Sequence, residues 1–183
     1  RLLDWNDRNT CVLFGDAAGA IILGPEERED RGILTTHMHT DGALTNILMI
    51  PGGGSLHPMT PQTLEQKLQY VKMTGREVYK VACRSLADVT LEALEATGLT
   101  GGDIDVVIPH QANIRIVETV IGRLGLSMDK VVMNIDRYGN TSSASVPVTL
   151  DEAVRAGRIK DGDLVALMAI GAGMSWASAL IRW

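Results

Sequence analysis

A short apolar run followed by proline, histidine and a helical repeat constrains most strongly how this chain can fold. Residues 104–108 (Ile-Asp-Val-Val-Ile) are mostly β-branched and apolar, a pattern typical of a buried strand. Apolar residues then recur at helical spacing from Val117 to Leu124. His110 therefore lies between a strand and a helix, where α/β proteins gather side chains that face ligands. The sequence predicts a functional site at this strand end.

A second unit of the same kind follows along the chain. Residues 131–135 (Val-Val-Met-Asn-Ile) are predicted to form a strand and residues 145–156 a helix, with Asn140 in the turn between them. Taken alone, Asn140 is typical of a turn, and a lone histidine such as His110 is more often a core residue. Two neighbouring units would bring both side chains to one sheet edge. An imidazole N–H and a carboxamide N–H can both donate to a carbonyl oxygen and stabilise an enolate.

The remaining pattern predicts strands and helices that cover most of the chain. A capping hydroxyl followed by proline marks a helix start at Thr60-Pro61, with an apolar stripe at Leu64, Leu68 and Val71. Gly98 is a typical C-cap for a long helix that follows Gly75. The full set comprises strands at 10–14, 20–23, 32–40, 104–108, 131–135, 164–170 and 174–183, and helices from 60, after 75, at 112–124 and at 145–156.

Composition and charge limit the class of protein. The chain has 183 residues, 45% of them hydrophobic, which suits one domain with a sizeable core. A net charge of −5 argues against nucleic acid as a partner. The sequence contains neither a run of 18 apolar residues nor a signal-peptide pattern, so we expect a cytoplasmic protein with no membrane partner. The absence of an initiator methionine predicts a truncated or cleaved product.

Five short motifs, in order along nearly the whole chain, carry a family resemblance. They are Phe-Gly-Asp-Ala-Ala-Gly-Ala (14–20), Thr-His-Met-His-Thr-Asp-Gly (36–42), Pro-His-Gln-Ala-Asn-Ile-Arg-Ile (109–116), Arg-Tyr-Gly-Asn-Thr-Ser-Ser-Ala-Ser-Val-Pro (137–147) and Gly-Ala-Gly-Met-Ser-Trp-Ala-Ser-Ala-Leu (171–180). Together they resemble the C-terminal half of β-ketoacyl-acyl-carrier-protein synthase III. The resemblance implies an α/β, thiolase-like fold: a mixed sheet with helices on both faces, plus a remnant strand of the N-terminal half. It also implies that residues 1–28 are the tail of that half and 29–183 the C-terminal condensing-enzyme domain.

The resemblance implies a chemistry for the strand-end residues. His110 and Asn140 would be the second and third members of a Cys-His-Asn set whose cysteine belongs to a half that precedes Arg1. That cysteine accepts an acyl group from acyl-coenzyme A, and malonyl-acyl-carrier-protein then decarboxylates against His110 and Asn140, which initiates fatty-acid synthesis without a cofactor. Cys11 lies in a predicted apolar strand and Cys83 in a helix. Neither offers the electropositive, open setting of a reactive thiol.

Further contacts follow from the same resemblance. Ala172 would supply a backbone N–H to the oxyanion hole, although alanine is disfavoured where φ is positive. Asn113 would bind the pantetheine arm or only cap a helix, and Arg76 stands where relatives often carry asparagine for the same contact. Arg115 and Lys80 would attract the acidic carrier protein and the phosphates of coenzyme A, or would simply be solvated charges.

The resemblance also implies binding partners for this chain. The resemblance implies the N-terminal half of the same enzyme, acyl carrier protein and coenzyme A thioesters as partners, with a homodimer in the intact enzyme. Residues 11–23 are predicted to pair with another polypeptide.

His37 and His39 alternate on one strand face, but no third ligand has suitable spacing, so no metal site is predicted. The alternatives are a secondary-metabolite starter-unit synthase, a hydroxymethylglutaryl-type synthase, or a non-catalytic subunit of a split condensing enzyme.

Overall fold

A mixed four-stranded sheet lies at the centre of the computed structural model, which describes all 183 residues. In chain order the elements are β1 (Gly32–Thr40), β2 (Leu48–Met49), α1 (Pro61–Glu65), β3 (Lys72–Met73), α2 (Gly75–Thr97), β4 (Val106–Pro109), α3 (Ile114–Arg123), α4 (Ile135–Tyr138), α5 (Ser145–Arg155), β5 (Leu164–Gly171) and β6 (Ser175–Arg182). Short 3-10 helices cover Gly42–Ile47, Gly101–Asp103, Met128–Lys130 and Ser142–Ala144.

The strand order of the sheet is β1-β6-β5-β4. β4 runs parallel to β5, whereas β6 runs antiparallel to both β5 and β1. β5 and β6 form the hairpin that the sequence predicts, with Gly171 opposite Ser175 at its tip. The parallel pair places the C-terminal end of β4, and therefore His110, beside the middle of β5. The mixed sheet is confirmed.

Helices pack on both faces of the sheet, as predicted. Alternate strand residues point to opposite faces, so Val107 joins the larger apolar cluster beneath α2 and α3. Val106 and Ile108 face the other way and pack with Leu150 of α5. Each fully buried aliphatic side chain contributes about 1.5–3 kcal/mol. Strand β4, which leads to His110, is therefore held by apolar packing on both faces of the sheet.

The long helix α2 and the helix after β4 agree with their sequence patterns. Gly98 ends α2 in a left-handed conformation with φ of 68°, which glycine adopts without strain. α3 begins at Ile114, two residues later than predicted, because Asn113 is its N-cap: the Asn113 side chain accepts a hydrogen bond from the Arg115 backbone N–H.

The predicted strand at 131–135 is wrong. Val131 forms a single isolated parallel bridge with Val107, and the chain then turns into α4 at Ile135. The backbone N–H of the buried Asn134 donates to the side-chain oxygen of Gln111 rather than to a neighbouring strand. A β-branched run therefore forms an extended connection beside β4.

The predicted strands at 10–14 and 20–23 are also wrong. The remnant strand of the N-terminal half, which was expected in this region, is therefore not formed in this chain. Residues 8–13 form turns, and the only bridge in this region joins Phe14 to Asn140. Residues 15–30 have no regular structure up to the turn before β1, and Ile22 is 97% exposed. Apolar residues form a strand only where another strand offers hydrogen bonds, and this chain offers none there.

The first predicted helix is shorter than expected. Thr60 caps α1 through a capping box with Thr63, as the sequence predicts. The helix ends at Glu65, however, because Lys67 adopts a left-handed backbone with φ of 57°. Val71 instead donates its N–H to the Leu2 carbonyl. None of the helices combines the length and the hydropathy needed to cross a membrane.

Candidate active site

His110 and Asn140 line the same large cavity, with a volume of about 1510 Å³. His110 follows β4 directly, and its backbone N–H donates to the Met168 carbonyl of β5 at 2.7 Å. Asn140 lies in the turn between α4 and the Ser142–Ala144 helix. The cavity is lined mostly by hydrophobic residues. The fold thus brings the two sequence-predicted polar side chains to one apolar pocket.

The imidazole of His110 is neutral at pH 7. Burial lowers its pKa from the ordinary 6.5 to about 4, because a buried charge loses its hydration. Nδ1 lies 2.6 Å from the Ser145 hydroxyl oxygen. Nε2 makes no hydrogen bond within the chain, which leaves that nitrogen free for a ligand in the cavity.

The carboxamide of Asn140 has a fixed orientation. Its side-chain oxygen accepts the backbone N–H of Ser142 at 2.9 Å. The amide NH₂ therefore remains unpaired within the chain and can donate to a ligand. The backbone of Asn140 is held as well, because its N–H donates to the Leu13 carbonyl and its carbonyl accepts from Gly15 N–H, both at 2.9 Å.

Two glycines make this backbone pairing possible. A Cβ on Gly15 would lie 2.0 Å from the Tyr138 carbonyl oxygen, so no other residue fits. Gly139 has φ of 68°, and a Cβ there would lie 3.1 Å from the Leu13 carbonyl oxygen. The 14–20 motif thus supports the turn that carries Asn140.

A carboxylate on α5 anchors the turn from the other side. Glu152 accepts hydrogen bonds from Asn134, Arg137 and Tyr138, at 3.1, 2.7 and 2.8 Å respectively. Partial burial acts to raise the pKa of Glu152, but these three bonds outweigh it and lower that pKa. The ionised carboxylate therefore ties α4, and with it Asn140, to α5.

Ala172 lies at the tip of the β5–β6 hairpin and also lines the cavity. Its backbone N–H forms no hydrogen bond within the chain. Among non-glycine residues only Lys67 and Ser142 have positive φ. The side chain of Ala172 is therefore no obstacle to the backbone conformation, and the N–H is available to a ligand.

The predicted contact residues divide into two groups. Asn113 and Arg115 line the cavity, and Asn113 also caps α3. Arg76 and Lys80 lie outside the cavity, on exposed positions of α2. Lys80 pairs with Glu77 at 2.9 Å, which reduces the net positive charge it presents.

The cysteines lie outside the cavity, and the histidine pair has a carboxylate partner. Cys83 is buried on α2 and Cys11 lies in an N-terminal turn.

His37 Nδ1 and His39 Nε2 each contact one carboxylate oxygen of Glu92, at 3.1 and 2.6 Å. Glu92 is on α2, and the sequence pattern did not connect it with the pair. No group of three or more His, Cys, Asp or Glu side chains could hold a metal ion.

Sequence reasoning missed two residues that support the site. Ser145 contacts His110 from 35 positions away, and Glu152 gathers the polar side chains of α4. Both lie within the helix predicted at 145–156, for whose polar side chains the sequence predicted no role. No spacing rule links a helical serine to a histidine at the end of another strand.

Comparison with known proteins shows one consistent relationship. A family model described as 3-Oxoacyl-[acyl-carrier-protein (ACP)] synthase III C terminal matches residues 94–183, and one described as 3-Oxoacyl-[acyl-carrier-protein (ACP)] synthase III matches residues 1–42. Beta-ketoacyl-[acyl-carrier-protein] synthase III of Symbiobacterium thermophilum is 51% identical over 183 residues, which is 100% of this chain and 55% of the relative. The chain spans about half the length of the curated relatives it matches.

Solved structures agree with the sequence comparison. The 3-oxoacyl-[acyl-carrier-protein] synthase III of Aquifex aeolicus superposes with a TM-score of 0.87 at 41% identity, over 100% of this chain and 54% of that one. The priming β-ketosynthase of the R1128 polyketide pathway superposes with a TM-score of 0.84 at 35% identity, over 98% of this chain and 53% of that one. The two family models, the relatives that align over the whole of this chain and the shared fold all agree. The chain therefore belongs to the β-ketoacyl-acyl-carrier-protein synthase III family, and it corresponds to the C-terminal portion of that thiolase-like condensing enzyme.

Proposed function

We propose that this chain forms the decarboxylating side of a ketoacyl synthase III that condenses an acyl-coenzyme A starter with malonyl-acyl-carrier-protein. One observation carries the proposal: a neutral imidazole and an oriented carboxamide NH₂ line one apolar cavity. Both are uncharged donors, and an enolate oxygen is stabilised by such donors in a water-poor pocket. The proposed enzyme is cytoplasmic, where both substrates occur, and uses no cofactor.

The proposed reaction has two stages. A cysteine of the upstream half attacks the acyl thioester, and coenzyme A leaves as the thiol. The malonyl thioester then loses CO₂, and the electron pair of the broken C–C bond forms an enolate whose oxygen accepts hydrogen bonds from His110 and Asn140. The enolate carbon attacks the acyl-enzyme carbonyl, a C–C bond forms, and the cysteine leaves as thiolate.

The remaining site residues are proposed to contact the oxyanion of the acyl-enzyme step, and the pantetheine arm and phosphates of the substrates. The free N–H of Ala172 is available for the oxyanion of the acyl-enzyme step. Asn113 and Arg115, at the cavity lining, are proposed to contact the pantetheine arm and the phosphates. Arg76 and Lys80, exposed on α2, are proposed to meet coenzyme A or the acidic carrier protein from outside the cavity.

The upstream half is proposed as the direct partner of this chain. Four large apolar side chains near the N-terminus are strongly exposed: Trp5 (76%), Val12 (62%), Ile22 (97%) and Leu23 (73%). Apolar surface of this kind marks an interface. The same half would bring the cysteine to the cavity and, in the intact enzyme, the homodimer contact.

Decarboxylation in the longer polypeptide tests the proposal. His110→Ala and Asn140→Ala should each slow malonyl decarboxylation by about 10²-fold or more, since each removes one enolate donor. Acylation of the cysteine should survive at least partly, because that step forms no enolate. His57→Ala, on an exposed loop, is the matched control and should decarboxylate at the unsubstituted rate. Wild-type decarboxylation in either site variant would contradict the assignment.

Two alternatives differ in what the upstream sequence contains. The likeness to a priming ketosynthase of a polyketide pathway favours a starter-unit synthase as the second candidate. A non-catalytic subunit of a split enzyme would lack the upstream cysteine altogether. Determination of the polypeptide that accompanies this chain, followed by assay of its acyl-coenzyme A preference, separates these candidates.

A further inference from the structure

Gln111 directly follows His110, and no step of the proposed reaction uses it. Its side chain is completely buried, with 0% exposure, and it does not line the cavity. Burial of a carboxamide costs free energy unless its polar atoms are hydrogen-bonded. The partners of this side chain therefore indicate what the residue does.

Every polar group of the Gln111 carboxamide has a partner. Nε2 donates to the Pro109 carbonyl at 2.9 Å and to the Val132 carbonyl at 3.3 Å, while Oε1 accepts the backbone N–H of Asn134 at 3.2 Å. Carbonyl oxygens only accept and a backbone N–H only donates. The reversed carboxamide would place an acceptor against two carbonyls and a donor against an N–H, so these partners fix the orientation of the group.

These bonds continue a parallel strand pairing that the backbone begins. The Val107 carbonyl accepts the Val132 N–H at 3.0 Å, at the single bridge of this pairing. In a parallel ladder the next bonds on this side of β4 belong to residue 109, whose N–H would donate to Val132 and whose carbonyl would accept from Asn134. Residue 109 is proline and has no N–H. Gln111 makes both bonds with its side chain, and its second Nε2 proton binds the Pro109 carbonyl.

The segment held by this side chain leads directly to Asn140. The buried Asn134 accepts the Tyr138 N–H at its carbonyl, at 3.2 Å, in the first turn of α4. The turn that carries Asn140 follows α4 at once. On the other strand, Pro109 immediately precedes His110. One carboxamide thus joins the residue before His110 to the residue at which the path to Asn140 begins.

We propose that Gln111 is a positioning residue: its carboxamide replaces the N–H that Pro109 lacks and thereby sets the separation of the His110 and Asn140 side chains. Without it, residues 132–134 keep one backbone hydrogen bond to β4, and α4 can shift relative to the end of that strand. Removal of the carboxamide should therefore misplace Asn140 while both site side chains remain present. The inference deepens the proposed function, on which its catalytic part rests.

Amide hydrogen exchange in the longer polypeptide tests the contact without catalysis. Gln111→Met has a side chain of the same length with no N–H to donate, and the Asn134 N–H should exchange about tenfold faster or more in this variant. The His110 N–H, which donates to the Met168 carbonyl, should keep its rate and report an intact β4. In the wild type, the Gln111 carboxamide protons should exchange about 10²-fold more slowly than those of the exposed Gln66.

The kinetics of the two reaction stages test the positioning role. Gln111→Met should lower kcat for malonyl decarboxylation by about 10–10²-fold, with little change in KM, because misplacement of one group affects the transition state more than binding. Acylation of the upstream cysteine should proceed at nearly the wild-type rate. A merely structural role would reduce the amount of folded protein and slow both stages equally. Gln66→Met makes the same substitution at an exposed position and should leave both stages unchanged.

A second variant decides the matter if Gln111→Met does not fold. Gln111→Asn keeps the carboxamide but is one methylene shorter, and the contact with Val132 is already 3.3 Å at full length. It should show the same faster exchange at Asn134 and the same selective loss of decarboxylation. Unprotected Gln111 carboxamide protons in the wild type, unchanged Asn134 exchange in a folded variant, or equal slowing of both stages would overturn the inference.

Failure of the proposed function has a different signature. Normal decarboxylation after His110→Ala and Asn140→Ala would count against the enolate role. Faster Asn134 exchange in Gln111→Met would still show that the carboxamide joins the two segments, because that measurement involves no substrate.

Discussion

The buried neutral imidazole of His110 predicts a specific loss of stability in acid. Burial lowers its pKa from 6.5 to about 4 in the folded chain, whereas the unfolded chain has the ordinary value. As the pH falls below 6.5 the unfolded state takes up a proton that the folded state does not, so the free energy of unfolding falls. The loss ends near pH 4, where the folded state takes up the proton too. At about 1.4 kcal/mol per pH unit, the interval corresponds to about 3 kcal/mol.

Urea unfolding of wild type and His110→Gln between pH 7.5 and 4 isolates this contribution. The variant cannot bind the proton, so the stability difference between wild type and variant should fall by about 3 kcal/mol over that range. His57→Gln makes the same substitution on an exposed loop and separates burial from the mere loss of a histidine. A wild-type–variant difference that stays constant with pH, or an NMR titration of His110 centred near 6.5, would refute the reasoning.

Two further predictions concern the thiols and the turn that carries Asn140. The purified 183-residue chain, incubated with acyl-coenzyme A, should gain no acyl mass by mass spectrometry, because Cys11 and Cys83 both lie outside the cavity; a stoichiometric thioester on either would show that the catalytic thiol is misplaced. Gly15→Ala should lower the free energy of unfolding by about 1–3 kcal/mol, because its Cβ would lie 2.0 Å from the Tyr138 carbonyl oxygen. Gly24→Ala, where a Cβ meets nothing within 4 Å, is the control; equal melting temperatures for the two variants would contradict the clash.

Local periodicity was enough to predict most of the central elements. The β5–β6 hairpin, the long helix that ends at Gly98 and the two helices after His110 and Asn140 all have patterns that repeat over several turns or strand residues. Such patterns record which face of an element is buried, and burial is the main stabilising term. His110 could be singled out because it follows an apolar run and precedes a helix, whereas Asn140 was singled out by the family resemblance of residues 137–147.

Strand pairing was the point at which sequence reasoning failed. Residues 131–135 have the composition of a strand but form one bridge to Val107 before turning into α4. The apolar residues near Ile22 have no partner strand in this chain and stay irregular and exposed. A strand needs hydrogen bonds from a neighbour that can lie anywhere in the sequence, so β-propensity alone cannot predict it.

The sequence by itself determined the family and most of the longer helices, and it singled out His110 and Asn140, because these depend on residues close together in the chain. The tertiary structure alone decided how these two side chains are held. Ser145 reaches His110 across 35 positions, and Leu13 and Gly15 pair with Asn140 across more than a hundred. Such contacts depend on where the sheet and the helices place distant segments. Their physical basis is packing and hydrogen bonding between elements, which no local pattern specifies.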